Sequence, residues 1–314
     1  MLTDNNYVDE RIELTALIFR LSGNPQVSHK LTKYQRNLNR KFACLKEHSV
    51  VEYTKRYLKC DYLREKHDFG FDAVVTLALH LKKDNGGFSL VDNIDYLIDD
   101  EIIVRWTEEN AHQFVEHLNQ FYSESNFTNF FNAYTKYFEK QSSTLYNNVI
   151  SEIDTDWFLK YLSDDDYLRV ALIPFTSSGA CGITLYGENL NNRIVTAALP
   201  VFPVNTMTYL LLRKNMIKVA IHEFCHSFGN IKADIWYNED NSFRKLCDES
   251  IDEKKLSNYA TGNIMAREYV TRAYTILYFA QHGNKNDIVA RMINTDRDQG
   301  FIYIEQVYEM IAKE

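Results

Sequence analysis

The stretch Lys218–Asn230, "KVAIHEFCHSFGN", decides how the rest of the chain is read. Laid on a helix, Ile217, Ala220, Ile221, Phe224, Cys225 and Phe228 fall at i, i+3, i+4, i+7, i+8 and i+11. That spacing is one continuous apolar stripe facing a core. His222 and His226 stand four residues apart, so both rings leave the same side of the helix. Their side borders the stripe, which puts them at the edge of a half-buried cleft.

Two imidazoles one turn apart are what a single zinc ion requires of one helix, because its Zn–N bonds are only about 2.0–2.1 Å long. Glu223 is rotated between about a sixth and a third of a turn from the two rings. From there its carboxylate reaches the water that the metal makes acidic and can take its proton. The competing reading is an amphipathic helix with two partly exposed histidines and a surface glutamate. The three fixed positions of HExxH, on a strong helix with its apolar flank, favour the metal. Cys225 lies inside the motif but belongs to the stripe and reads as a small core residue.

A catalytic zinc needs a third protein ligand and an open position. The metzincin pattern HExxHxxGxxH fails here: Gly229 fits, but Lys232 stands where the third histidine belongs. Asp234 is close by, just beyond the helix stop expected at Gly229-Asn230. The gluzincin solution is a glutamate from a later helix, with Glu239, Glu249, Glu253 and Glu268 as candidates. The first three lie in "NEDNSFRKLCDESIDEKK", a polar stretch that reads as exposed loop or short helix. Glu268 lies in "NIMAREYVTRAYTILYFA", among Ile264, Met265, Val270, Ala273, Ile276 and Leu277. A carboxylate at a mostly buried position needs a partner. The metal is one, and Arg272 at i+4 is another; the two are compatible, with Arg272 orienting Glu268 from behind.

Composition bounds the alternatives. The chain has 314 residues, 45% of them hydrophobic, ample for a large core or two smaller ones. Eleven glycines and four prolines are too few turn residues for an all-β chain. The net charge of −8, with Lys and Arg scattered, argues against a nucleic-acid partner. Five cysteines without a CxxC pair argue against a disulfide framework. No run of eighteen apolar residues predicts a membrane span.

Helices are expected over 9–22, near 44–59, 70–82, 107–121 and 125–139, over 207–228 and 262–281, and in the tail "GFIYIEQVYEMIAKE". His80 sits on an apolar helix and reads as a core histidine; "DNGG" at 84–87 reads as a turn. Leu168–Phe175, "GITLYG" and "NRIVTAAL" read as strands, with a turn at 187–192. The layout is α+β and helix-rich, with a soft boundary near residue 160. Residues 1–160 form a mainly helical N-terminal region, and 161–314 carry the metal motif.

"DERIELTALIFRLSGN" at 9–24, "FDAVVTLALHL" at 71–81, "HEFCHSFGN" at 222–230, "REYVTRAY" at 267–274 and "GFIYIEQV" at 300–307 together resemble an uncharacterised bacterial family. It is a domain-of-unknown-function family regarded as gluzincin-like zinc metallopeptidases. The resemblance spans nearly the whole chain, but only HExxH is specific for chemistry. It implies a zincin-like core: a small, mostly antiparallel sheet, an active-site helix and a later Glu-bearing helix. It implies one Zn2+ held by His222, His226 and Glu268, with Glu223 as general base. In the family the later glutamate is often preceded by asparagine; here Arg267 stands there. By the same resemblance, Gly182, Ile183, Thr184, Leu185 and Tyr186 are the edge strand that pairs with an extended substrate. Members often carry a secretion or lipoprotein signal, and none opens this sequence. A cytoplasmic location is expected if the chain as written is complete, and an extracytoplasmic one if a signal was trimmed.

The expected reaction is hydrolysis of a peptide bond in a peptide or protein substrate. Glu223 serves as base, and Arg272, Tyr259, Tyr269 or Tyr274 as a donor to the carbonyl oxygen. Two alternatives stand beside it: a catalytically silent zincin-like binding module, and a regulatory protease specific for one partner. Retention of Glu223 favours the enzyme, because only catalysis needs that carboxylate. Substrate and oligomeric state stay open.

Overall fold

The computed structural model describes residues 7–24, 27, 32–59, 70–84, 86–91, 106–175, 179–186, 192–201, 206–251, 261–283 and 285–314. They fall into two compact units. One takes the described residues up to Glu152 together with Asp165–Asn215; the other takes Ile153–Asp164 and Met216–Glu314. The strands therefore belong with the N-terminal helices, a different partition from the boundary expected near residue 160.

In the first unit, α1 (Glu10–Leu21) starts where the Asp9 side chain accepts the Arg11 N–H, and it is buried from Ile12 to Leu21. A helix apolar on most of its circumference is a central one. α2 (Lys33–Phe42) starts in a reciprocal capping box between Thr32 and Gln35 and buries Tyr34, Leu38 and Phe42. α3 (Ser49–Tyr57) and α4 (Phe71–Leu79) follow. The helix expected over 70–82 ends early, at Leu79. His80 leaves helical geometry with its Nδ1 2.8 Å from the Thr76 carbonyl, buried as expected of a core histidine. The chain continues as the antiparallel hairpin β1 (Leu81–Asp84) and β2 (Gly87–Leu90).

α5 (Glu108–Ser125), α6 (Phe127–Asn132) and α7 (Thr135–Asn148) follow the hairpin among the described residues. The single helix expected over 125–139 is thus two, broken at residues 133–134.

β3 (Tyr167–Ile173), β4 (Cys181–Tyr186) and β5 (Arg193–Pro200) form a sheet in the order β3-β5-β4. β5 pairs parallel with β3 and antiparallel with β4, so the sheet is mixed rather than mostly antiparallel. Burial follows position. Central β5 is buried without a break from Val195 to Pro200, whereas edge strand β4 alternates. Most of the turn expected at 187–192 lies outside the described residues.

Among its described residues the second unit holds helices and turns and no strand. α8 (Thr206–Glu239) contributes to both units. α9 (Asn241–Glu249), α10 (Gly262–His282), α11 (Lys285–Asp298) and α12 (Ile304–Ala312) follow. The stripe of α8 meets the 153–164 segment and α10 through aromatic rings. Phe224 stands 5.5 Å from Phe158, and Phe228 stands 4.6 Å from Tyr161 and 4.9 Å from Tyr274. No helix among the described residues is long and apolar enough to cross a membrane.

Candidate metal centre

α8 does not stop at Gly229-Asn230 as expected; it continues to Glu239. The reason lies in what these residues do. A Cβ on Gly229 would stand 3.0 Å from Thr271 Oγ1 and 3.5 Å from Thr271 Cα, so the glycine admits the close approach of α10. Asn230 turns its side chain back along the helix, and its Oδ1 accepts from His226 Nδ1 at 3.0 Å. Both residues that read as a helix end serve the helix-helix seam and the histidine beside it.

That seam brings Glu268 to the histidines. Glu268 Oε2 lies 3.8 Å from His222 Nε2, and Oε1 lies 3.7 Å from His226 Nε2. The two rings stand nearly perpendicular, with centroids 4.8 Å apart. One ligand atom from each of His222, His226 and Glu268 falls within 4.8 Å of the others. In a tetrahedral shell with bonds of about 2.0–2.2 Å, donors stand about 3.3–3.6 Å apart. The two His–Glu separations exceed that spacing by a few tenths of an ångström and the 4.8 Å span of the three atoms exceeds it by about 1 Å, so the donors would have to draw together to hold one ion. Glu223 is buried, with Oε2 3.9 Å from His226 Nε2.

Hydrogen bonds settle which nitrogen of His226 is available. Nδ1 faces both Asn230 Oδ1 and Thr271 Oγ1, the latter at 3.2 Å, so the proton belongs on Nδ1 and the Nε2 lone pair faces Glu268. For His222, burial, then the neighbouring charges of His226, Arg272 and Lys218, hold the imidazole well below its ordinary value. A neutral ring is the form that binds a metal.

Behind Glu268, Arg272 Nε lies 3.3 Å from Oε2. The other end of the guanidinium donates to Asp296 Oδ1 at 2.9 Å and to Gln299 at 3.2 Å, and its plane lies 3.9 Å from the centroid of Phe301. Lys218 Nζ lies 3.4 Å from the same Asp296 oxygen.

The other candidates are elsewhere. Asp234, on the continued helix rather than beyond it, is held by two bonds from Arg267 at 2.8 and 2.9 Å. Lys232 pairs with Glu314 and covers the Trp236 ring. Glu249 is half exposed beside Lys245. Tyr269 commits its hydroxyl to Ser250 at 2.9 Å and to the Tyr303 N–H at 3.3 Å. Tyr274 packs against Tyr161 and Phe228, and burial pushes its hydroxyl up. Neither tyrosine joins the cluster, while Arg272 does. Tyr259 and Glu253 lie outside the described residues. Gly182–Tyr186 fall in β4, an edge strand of the first unit's sheet. Ile264, expected on the apolar face of α10, is instead 40% exposed. Cys225 is fully buried, and burial raises its thiol far above the ordinary value, as befits a core residue.

Sequence reading missed Asp296, Thr271 and Asn230. The signal for Asp296 was the apolar series Ile288, Met292 and Ile293, which marks α11 as an amphipathic helix and Asp296 as its next inward position.

Fold and site thus define a helix-rich α+β protein with a His-Glu-His cluster between two helices. The chain belongs to the family described as a domain of unknown function (DUF4932), whose profile matches residues 6–313. No curated protein and no solved structure matches it.

Proposed function

We propose that this protein is a zinc-dependent metallopeptidase of the gluzincin type, with His222, His226 and Glu268 as ligands and Glu223 as general base. The observation that carries the reading is the meeting of Glu268, 42 positions beyond His226, with both imidazoles. An amphipathic helix with two incidental histidines has no reason to face a half-buried carboxylate from a second helix.

A zinc ion on these donors supplies Lewis acidity, which brings the pKa of water toward about 7 and polarises a carbonyl. The protein's own groups do the rest. Glu223 Oε2 accepts the proton of the attacking water and returns it to the leaving amine. Its burial strengthens that exchange, because little bulk water competes for the carboxylate. Asn230 and Thr271 keep the His226 proton on Nδ1. Arg272 is the one proposed donor already beside the cluster.

The test is zinc content together with cleavage of casein and a peptide library, for wild type, Glu223→Gln and Glu268→Ala. The reading expects one zinc per chain in wild type and in Glu223→Gln. It expects cleavage only in wild type, and weakened zinc in Glu268→Ala. Zinc without cleavage of any peptide would favour a silent binding module. A wild type that binds no zinc would end the metal reading.

A further inference from the structure

We infer that Asp296 is a positioning residue: through Arg272 it fixes the carboxylate of Glu268 against the two imidazoles. The inference rests on the metal reading above and extends it to a residue outside both metal-bearing helices.

Asp296 is 1% exposed, and its Oδ2 is buried with no hydrogen-bond partner among the described residues. A buried carboxylate with a bare oxygen opposes folding unless something compensates it. Two cations do, Arg272 at 2.9 Å and Lys218 at 3.4 Å, both on the helices that carry the cluster. Replacement of such a buried ion group by apolar residues is often neutral or stabilising, so stability alone is a poor reason to keep it.

Geometry supplies a better reason. Glu268 and Arg272 are an i,i+4 pair, and on an open helix such a pair is loose and worth only a few tenths of a kcal/mol. Here Arg272 is gripped on three sides. Asp296 and Gln299 accept from Nη1, and Cζ sits over the Phe301 ring. The planar fork cannot rotate away, so its Nε edge stays 3.3 Å from Glu268 Oε2. The held carboxylate presents one oxygen to each histidine. Charge points the same way. Arg272 alone would place a full positive charge beside a cation site, and Asp296 offsets it.

The experiment is a double-mutant cycle on zinc affinity by chelator competition, with Co2+ absorption as a second readout, for wild type, Asp296→Asn, Arg272→Gln and the double variant. Loss of an outer partner of a metal ligand weakens metal binding by about 10–100-fold. That loss is expected in each single variant, with the double variant no weaker than Arg272→Gln alone. The Co2+ band should change in all three, and Asp296→Glu should recover part of the affinity. A purely structural Asp296 would lower thermal stability and leave affinity and band unchanged, which overturns the proposal while the metal reading stands. Losses that add in the double variant also overturn it. If Asp296→Asn does not fold, the double variant, which removes both buried charges, is compared with Arg272→Gln. Equal affinities support the linkage, and a further loss refutes it. A wild type without zinc affinity removes this proposal and the metal reading together.

Discussion

Asn230 Oδ1 accepts a hydrogen bond from His226 Nδ1 at 3.0 Å, one turn further along the same helix. Thr271 Oγ1 offers a second acceptor to the same nitrogen from the facing helix, at 3.2 Å. Either suffices to keep the proton on Nδ1 and the Nε2 lone pair toward the ligand cluster. Asn230→Ala or Thr271→Val alone should therefore change zinc affinity by less than about tenfold. Together they should lower it by about 10–100-fold. Chelator competition on the three variants measures this, and a double variant with wild-type affinity would show that His226 needs no outer partner.

At Gly229 the HExxH helix packs directly against Thr271 of the facing helix. A methyl group fits only if Thr271 gives way, and a branched side chain does not fit against Thr271 Cα. Gly229→Val should cost about 1–3 kcal/mol by overpacking, read as a lower thermal midpoint. It should also weaken metal binding, because it moves His226 away from Glu268. Gly229→Ala on a Thr271→Ala background should be tolerated. The clashing hydroxyl is gone there, and alanine is preferred to glycine in a helix by up to about 1 kcal/mol. A destabilised Gly229→Ala/Thr271→Ala protein would place the constraint on the glycine backbone instead.

Asp234 separates the two candidate ligand sets. Its carboxylate is engaged by Arg267 on the facing helix, and both side chains are partly open to solvent. Asp234→Asn should leave zinc stoichiometry and affinity at wild-type values and cost no more than about 1 kcal/mol of stability. Glu268→Ala, measured alongside, should lose affinity. Zinc loss in Asp234→Asn with zinc retained in Glu268→Ala would reverse the assignment.

The HExxH helix was readable in the sequence because its signals are local. His222, Glu223 and His226 share one turn, and the stripe from Ala220 to Phe228 names the side they border. The approach of Glu268 to the histidines was foreshadowed by chemistry, as a carboxylate among apolar neighbours. What misled was Gly229-Asn230. Gly and Asn are strong helix-end residues when judged alone, and only a second helix crossing at Thr271 turns them into seam residues. The mixed sheet was not legible for a similar reason: β4 and β5 are neighbours in sequence and pair antiparallel, but the parallel pairing of β3 with β5 is a long-range choice. α2 went unread although Tyr34, Leu38 and Phe42 recur every four residues behind a Thr32–Gln35 capping box. For Asp296 the apolar series of α11 signals an inward position, but not its place beside the cluster, because its partners Arg272 and Lys218 lie on other helices.

The first unit carries its own buried carboxyl. Glu13, in the middle of α1, accepts from Tyr34 at 2.7 Å and from the Phe175 N–H at 3.2 Å. Arg20 stands near it and donates to the Phe175 carbonyl. Burial outweighs these bonds and raises the Glu13 carboxyl from 4.5 to about 7. Between those two values the folded chain holds a proton that the unfolded chain has released. Stability from this group is therefore full below about pH 4.5, falls as pH rises to about 7, and stays low above it. A shift of that size corresponds to an upper bound of about 3–4 kcal/mol. Glu13→Gln keeps an acceptor for the Phe175 N–H without the charge, so it should lose this slope and exceed wild type in stability at pH 8. Urea unfolding of both proteins at pH 5 and pH 8 measures the difference. Equal losses in the two proteins across that interval would mean that Glu13 is not the titrating group.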